Sequence, residues 1–107
     1  MTQKQFYQLF DQLFKEERQL MQDKGTEYTI SSDDKLENFK SVAKRNGLEP
    51  LQVCKIYLDK HLDSISNFVK RRRTFSGESI RGRVKDARNY LILLLALIEE
   101  DRAKRTQ

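Results

Sequence analysis

The chain has 107 residues, of which 37% are hydrophobic and 35% charged, and a net charge of +5. One domain spanning residues 1–107, with one modest core, is the expectation at this length. Four glycines and one proline are too few for a turn-rich all-β fold, and no run approaches the roughly 18 apolar residues of a membrane span. The lone cysteine, Cys54, excludes an internal disulfide and a Cys-rich zinc site, and the opening MTQKQFYQLF lacks the apolar stretch of a secretory signal. A reducing cytoplasm is the expected compartment, with no membrane partner. Charge is unevenly placed: Lys70 to Arg88 holds eight basic residues and two acids, leaving the rest of the chain at −1. A near-neutral body with one cationic region attracts phosphate-bearing partners.

The spacing of apolar residues predicts four helices. The first runs from Thr2 to Asp23, with Thr2 and Gln5 at capping-box spacing, a stripe of Phe6, Leu9, Phe10, Leu13, Phe14, Leu20 and Met21, and Gly25 as the terminating residue. Thr26 to Ser32 reads as a loop with Tyr28 and Ile30 turned inward. The second helix starts at Ser32 or Asp33, buries Leu36, Phe39 and Ala43, and ends at Asn46-Gly47. The third starts with Pro50 at its first position and runs to Val69, with Cys54, Leu58, His61, Ile65 and Phe68 facing inward. Lys70 to Gly77 is a basic connection.

The fourth helix begins between Ser76 and Ser79 and reaches Ala103, with Ile80, Val84, Ala87, Leu91, Leu94 and Ile98 as its stripe. Between Tyr90 and Ile98 it is apolar all round, which points to burial on every side. Glu99 to Gln107 is a charged, fraying tail. The expected architecture is therefore an all-α, antiparallel four-helix bundle, completed by oligomerisation through the C-terminal helix as a homodimer or higher homo-oligomer.

Three groups of residues could carry chemistry. His61, the only histidine, sits mid-stripe on the third helix. It is either a hydrogen-bonded core residue or the wall of a cleft between the third and fourth helices, beside Lys60. The fourth helix supplies Glu78, Arg81, Arg83, Asp86 and Asn89. They form either a solvated face or a polar cleft whose guanidinium groups take phosphate in a bidentate fork. Lys24 to Phe39 contains Tyr28, which could stack on a base, and Asn38, which could read a base edge. Lys70, Arg71, Arg72 and Arg73 form a basic patch. No P-loop, dinucleotide-binding fingerprint or nucleophile elbow is present, and one His and one Cys do not make a zinc site.

The segments KGTEYT (Lys24 to Thr29), DKLENF (Asp34 to Phe39), VCKIYLDKH (Val53 to His61) and GESIRGRVKDARNYLILL (Gly77 to Leu94) resemble a family of small all-α phage and prophage proteins. That family is grouped near nucleotide-modification-associated domains and, more distantly, MazG-like NTP pyrophosphatases. The resemblance implies a phage origin, an oligomerising helical bundle and a polar nucleotide site using Glu27, Tyr28, Asn38, Lys60, His61, Glu78, Arg83, Asp86 and Asn89. It departs from the MazG-like pattern in its acids. The nearest pair, Asp34-x-x-Glu37, lies away from the apolar face, and Glu78 and Asp86 have no acidic partner one turn on, so a Mg²⁺ cage lacks donors. Three functions follow. The first is a nucleotide-binding protein without a required cofactor that sequesters or senses its ligand, with an anti-defence or nucleotide-metabolism role. The second is a Mg²⁺-dependent NTP pyrophosphohydrolase. The third is a module that docks its basic region on an acidic host protein and inhibits a nucleic-acid-processing enzyme.

Overall fold

A computed structural model describes residues 1–28, 33–75 and 77–105, and the side chains of all of these except residues 25–28. The protein is all-α, as expected. Its elements are α1 (Gln3–Tyr28), α2 (Glu37–Asn46), α3 (Pro50–Arg71) and α4 (Ile80–Arg105), with no strand among the described residues. They fall into two compact units, residues 1–35 and 36–107.

In the first unit, Thr2 and Gln5 close the expected capping box: the Gln5 amide donates to Thr2 Oγ1 at 3.1 Å, and the Thr2 amide donates to Gln5 Oε1 at 2.8 Å. The helix does not stop at Gly25. Glycine permits a left-handed stop without requiring one, and α1 continues to Tyr28. Lys35 Nζ returns to the helix and donates to Met21 O at 2.8 Å. The apolar stripe forms a ladder of rings, with Phe10 and Phe14 parallel at 6.5 Å, yet Phe6, Phe10 and Phe14 are exposed. The expected inward placement of Tyr28 and Ile30, and a helix cap at Ser32, lie outside the described residues.

The second unit holds the core. α2 begins later than the capping signals suggest. Leu36, itself buried, takes the N-cap position without a side-chain cap, and its carbonyl accepts from the amides of Phe39 and Lys40. Burying Leu36 outweighs the capping preference of Asp33. Gly47 ends α2 at φ 66°, as its sequence predicts, with nothing crowding the place a Cβ would occupy. α3 opens on Pro50 behind a Glu49/Gln52 capping box. It runs through Arg71, so Lys70 and Arg71 belong to its last turn and not to the connection. Arg72 then adopts the left-handed conformation at φ 61°, and its amide donates to Phe68 O at 2.7 Å. Ser79 caps α4, its hydroxyl accepting from the Gly82 amide at 3.0 Å. The charged C-terminal segment is helical as far as Arg105 and carries ion pairs such as Arg105 Nε with Asp101 Oδ2 at 3.0 Å.

Leu36, Phe39, Ala43, Val53, Cys54 and Leu97 form the core, with Tyr57, Tyr90, Leu93 and Leu94 packed on it. α3 and α4 run antiparallel: Cys54 meets Tyr90, whereas Ser64, further along α3, meets Arg83, further back along α4. The half-buried pair Lys40 Nζ and Glu100 Oε1, at 2.7 Å, ties α2 to α4. One expectation fails on α4. Val84 and Leu91 do not face the core but are exposed, and Tyr90, Leu93 and Leu97 take their place. A helix cannot turn every side toward two neighbours.

The two left-handed helix ends make opposite predictions. Gly47→Ala introduces a Cβ at positive φ and lowers stability by about 1 kcal/mol, whereas Arg72→Gly relieves the same strain and raises it by about 0.5–1 kcal/mol. Urea denaturation of each variant reads the sign. Cys54 predicts a pH effect. Burial pushes its thiol from a usual value of 9.0 up to about 11. The native state then holds its proton more tightly than the unfolded chain, so the contribution is intact below about pH 9 and is lost as pH rises through about 11. Between those limits, wild-type stability falls by on the order of 2 kcal/mol more than that of Cys54→Ala. Denaturation curves at paired pH values measure the difference.

Candidate functional site

An open hollow of about 220 Å³ lies where the end of α3, the following connection and the start of α4 meet, lined by Ser64, Asn67, Arg73, Thr74, Phe75 and Arg83. Each element contributes for a local reason. Ser64 and Asn67 stand one turn apart on α3. The left-handed Arg72 turns the chain, so that Arg73, Thr74 and Phe75 come back across the helix end. Ser79 starts α4 so that Arg83 falls in its first turn, reaching toward α3.

Arg83 is held firmly. Its Nη1 donates to Ser64 Oγ at 2.8 Å, and Ser64 in turn donates to Lys60 O at 3.2 Å. Its Nη2 lies 3.5 Å from Glu78 Oε2. The Arg83 side chain is 15% exposed while Glu78 is 63% exposed, so the arginine is a sheltered fixture and the glutamate a solvated rim charge. The guanidinium is a planar fork of five donors, the geometry that takes an oxyanion. On the other side, Arg73 stacks over the Phe75 ring at 4.6 Å and Arg71 lies over it at 5.5 Å. Cation–π contact orders both arginines against an exposed ring without neutralising them. Two guanidinium groups, the Thr74 hydroxyl and the Asn67 amide around one hollow suit a phosphate, and the exposed ring beside them is a flat stacking surface that the arginines already use.

Of the residues expected at the site, Arg83 and Arg73 line this hollow and Glu78 touches Arg83. Lys70, Arg71 and Arg72 are exposed beside it. The others are elsewhere. His61 lies against Tyr90, ring centroids 5.3 Å apart and planes at 22°, continuing an aromatic cluster in which Tyr57 and Phe39 sit 6.0 and 6.3 Å from Tyr90. It therefore extends the core's edge instead of walling the hollow. Lys60 offers its carbonyl to Ser64 and leaves its ammonium exposed. Arg81 is exposed, Asp86 and Asn38 are half-buried, and Asn89 is buried, its Oδ1 accepting no hydrogen bond. None of these lines the hollow. The side chains of Glu27 and Tyr28 lie outside the described residues.

Sequence reasoning missed Ser64, Asn67, Thr74 and Phe75. One signal was available for Phe75: an aromatic interleaved in the basic run RRRTF. Among the described residues no three His, Cys, Asp or Glu side chains converge so as to hold a metal ion. The carboxylates present do not fit Mg²⁺: the one at the hollow, Glu78, is engaged with Arg83. No helix among the described residues is long and apolar enough to cross a membrane. Comparison with known proteins finds no matching family model, no matching curated protein and no matching solved structure.

The contrast between core and rim is measurable. Tyr90→Ala removes the ring shared by Phe39, Tyr57 and His61 and costs about 3 kcal/mol or more. Glu78→Gln changes stability by less than about 0.5 kcal/mol, because its ion pair is solvent-screened. Thermal or urea unfolding of the two variants checks the ordering.

Proposed function

We propose that this protein binds a nucleotide, with a phosphate seated between Arg73 and Arg83 and the base laid on the Phe75 ring. The observation that carries the reading is Arg83: a sheltered guanidinium, fixed by Ser64, at the mouth of a hollow that also holds Arg73. A volume near 220 Å³ falls below the roughly 300 Å³ at which enclosed small-molecule sites begin. It suits a phosphate and part of a sugar, with the base outside on the phenyl ring, where it takes the place of the Arg71 guanidinium that lies over that ring at 5.5 Å. The segment Gly77 to Leu94, which resembles the phage helical proteins, is the one that supplies Arg83. On this reading the protein sequesters or senses a nucleotide in the host cytoplasm during phage infection, in an anti-defence or nucleotide-metabolism role, and works as a homo-oligomer. No catalytic step is assigned, since the site has no converging carboxylates for a metal and no activated nucleophile.

A second reading rests on the exposed Arg71 and Arg72 beside the hollow: a basic surface that docks on an acidic host protein. It needs the charge run but not Phe75 or Ser64, so the two readings separate by mutation.

Calorimetry against nucleoside mono-, di- and triphosphates and cyclic oligonucleotides tests the proposal. Binding weakens at least about tenfold in Arg83→Gln and about tenfold in Phe75→Ala, the latter from lost stacking of roughly 1–3 kcal/mol per base. Glu78→Gln tightens binding by removing a rim anion. Absence of heat with every nucleotide at high micromolar protein overturns the proposal, as does equal affinity in wild type and Arg83→Gln.

A further inference from the structure

The hollow holds less than a whole nucleotide, yet more cations surround it than one phosphate needs. From Lys70 to Arg83 six basic residues and one acid carry +5, the net charge of the whole chain, so everything outside this stretch sums to zero. Other exposed cations are paired within a turn: Lys55 with Asp59, Lys104 with Glu100, Arg105 with Asp101. Lys70, Arg71, Arg72 and Arg73 are exposed, and among the described residues none of the four is ion-paired. The turn before them, Ser66, Asn67, Phe68 and Val69, offers no acid.

Helix stability explains part of this run. Lys70 and Arg71 close the last turn of α3, where a cation offsets the helix dipole. Arg72 and Arg73 lie past the helix end. Arg72 keeps its side chain at φ 61°, a conformation that glycine takes without strain and arginine does not. Beside them Phe75 is 61% exposed, with Arg71 and Arg73 over its ring. An open ring among unpaired cations is a stacking platform in a basic groove, the two parts that hold a single strand without reading its sequence. The charges also run on past the hollow: Arg73 and Arg83 line it, whereas Lys70, Arg71 and Arg72 lie outside it. A ligand that meets all five carries several phosphates in a row.

We infer that the nucleotide seated here is one unit of a single-stranded nucleic acid. Its phosphate sits between Arg73 and Arg83, and its base takes the place of the Arg71 guanidinium over Phe75. The displaced Arg71 joins Lys70 and Arg72 on the neighbouring phosphates. A closed duplex keeps its bases from the ring, and an acidic peptide has none to offer. The inference rests on the nucleotide reading, since it uses the same hollow and ring.

Fluorescence anisotropy of the full chain with a labelled oligo-dT strand of about ten nucleotides, the order of length that one small domain covers, tests it against dTMP and a polyglutamate peptide of equal charge. The strand binds at least about tenfold tighter than either competitor. Its affinity falls with salt at a log–log slope of about −3.5, as expected when those five cations each release a counterion from a single strand. Phe75→Ala weakens strand binding about tenfold through lost stacking. Arg72→Gly weakens it about threefold and flattens the slope by about 0.7, while raising the urea midpoint, which separates binding from folding. Lys44→Ala, which removes an exposed cation at the end of α2, changes neither affinity nor slope. A strand held no tighter than dTMP, with dTMP still bound, overturns the inference and leaves the nucleotide reading standing. No binding of strand or of any nucleotide at about 100 μM protein in near-physiological salt overturns both. Polyglutamate bound as tightly as the strand, or a strand indifferent to Phe75→Ala, overturns the inference in favour of an acidic protein partner.

Discussion

Tyr90 is the point on which the second unit depends. Its ring meets Phe39 of α2 and Tyr57 and His61 of α3, and its carbonyl accepts from the Cys54 thiol at 3.5 Å. One residue of α4 thereby fixes that helix against both neighbours. It sets the antiparallel register of α3 and α4, which helps bring Arg83 to Ser64. The basic hollow is thus a consequence of aromatic packing seven residues away. Rings of this size dominate burial, and edge-on contacts between them add orientation that aliphatic side chains do not supply.

Placing Tyr90 inward also settles what lies outward. Positions 87, 90, 94 and 97 line one side of a helix, so 84, 91, 92 and 95 must line the other. The same contact that builds the core therefore leaves a leucine-rich face on the far side of α4. The hollow lies at the α4 N-terminus, where the helix is basic. The exposed leucines lie at its middle, beyond the basic first half. One helix serves packing, charge and surface in succession along its length.

His61 shows how a polar residue on an apolar stripe resolves. Its sequence position admitted a cleft wall or a hydrogen-bonded core residue, and it is instead a half-buried residue at the core's edge. Stacking on Tyr90 satisfies the flat face of the imidazole with an aromatic partner, as a ring of that shape prefers next to tyrosine. The cations that gather at the hollow are instead arginines. Arg83 is anchored by a hydroxyl and Arg73 by a phenyl ring.

What the sequence determined by itself is local: the all-α class, the capping box at Thr2 and Gln5, the Pro50 start, the Gly47 stop, and the concentration of arginine between residues 70 and 88. These follow from backbone geometry and side-chain periodicity within a turn or two. What only the tertiary structure decided is which side of an all-apolar stretch is buried and which distant residues meet. Between Tyr90 and Ile98 every face is apolar, so periodicity carries no information about the inward side, and only the fit of Tyr90 among Phe39, Tyr57 and His61 selects it. Leu36 likewise overrode its polar neighbours in starting α2, because burial of a leucine outweighs a cap. Ser64 and Arg83 are nineteen residues apart with no motif linking them. Their meeting depends on the turn at Arg72 and the register of two packed helices, quantities that arise only once the chain has closed on its core.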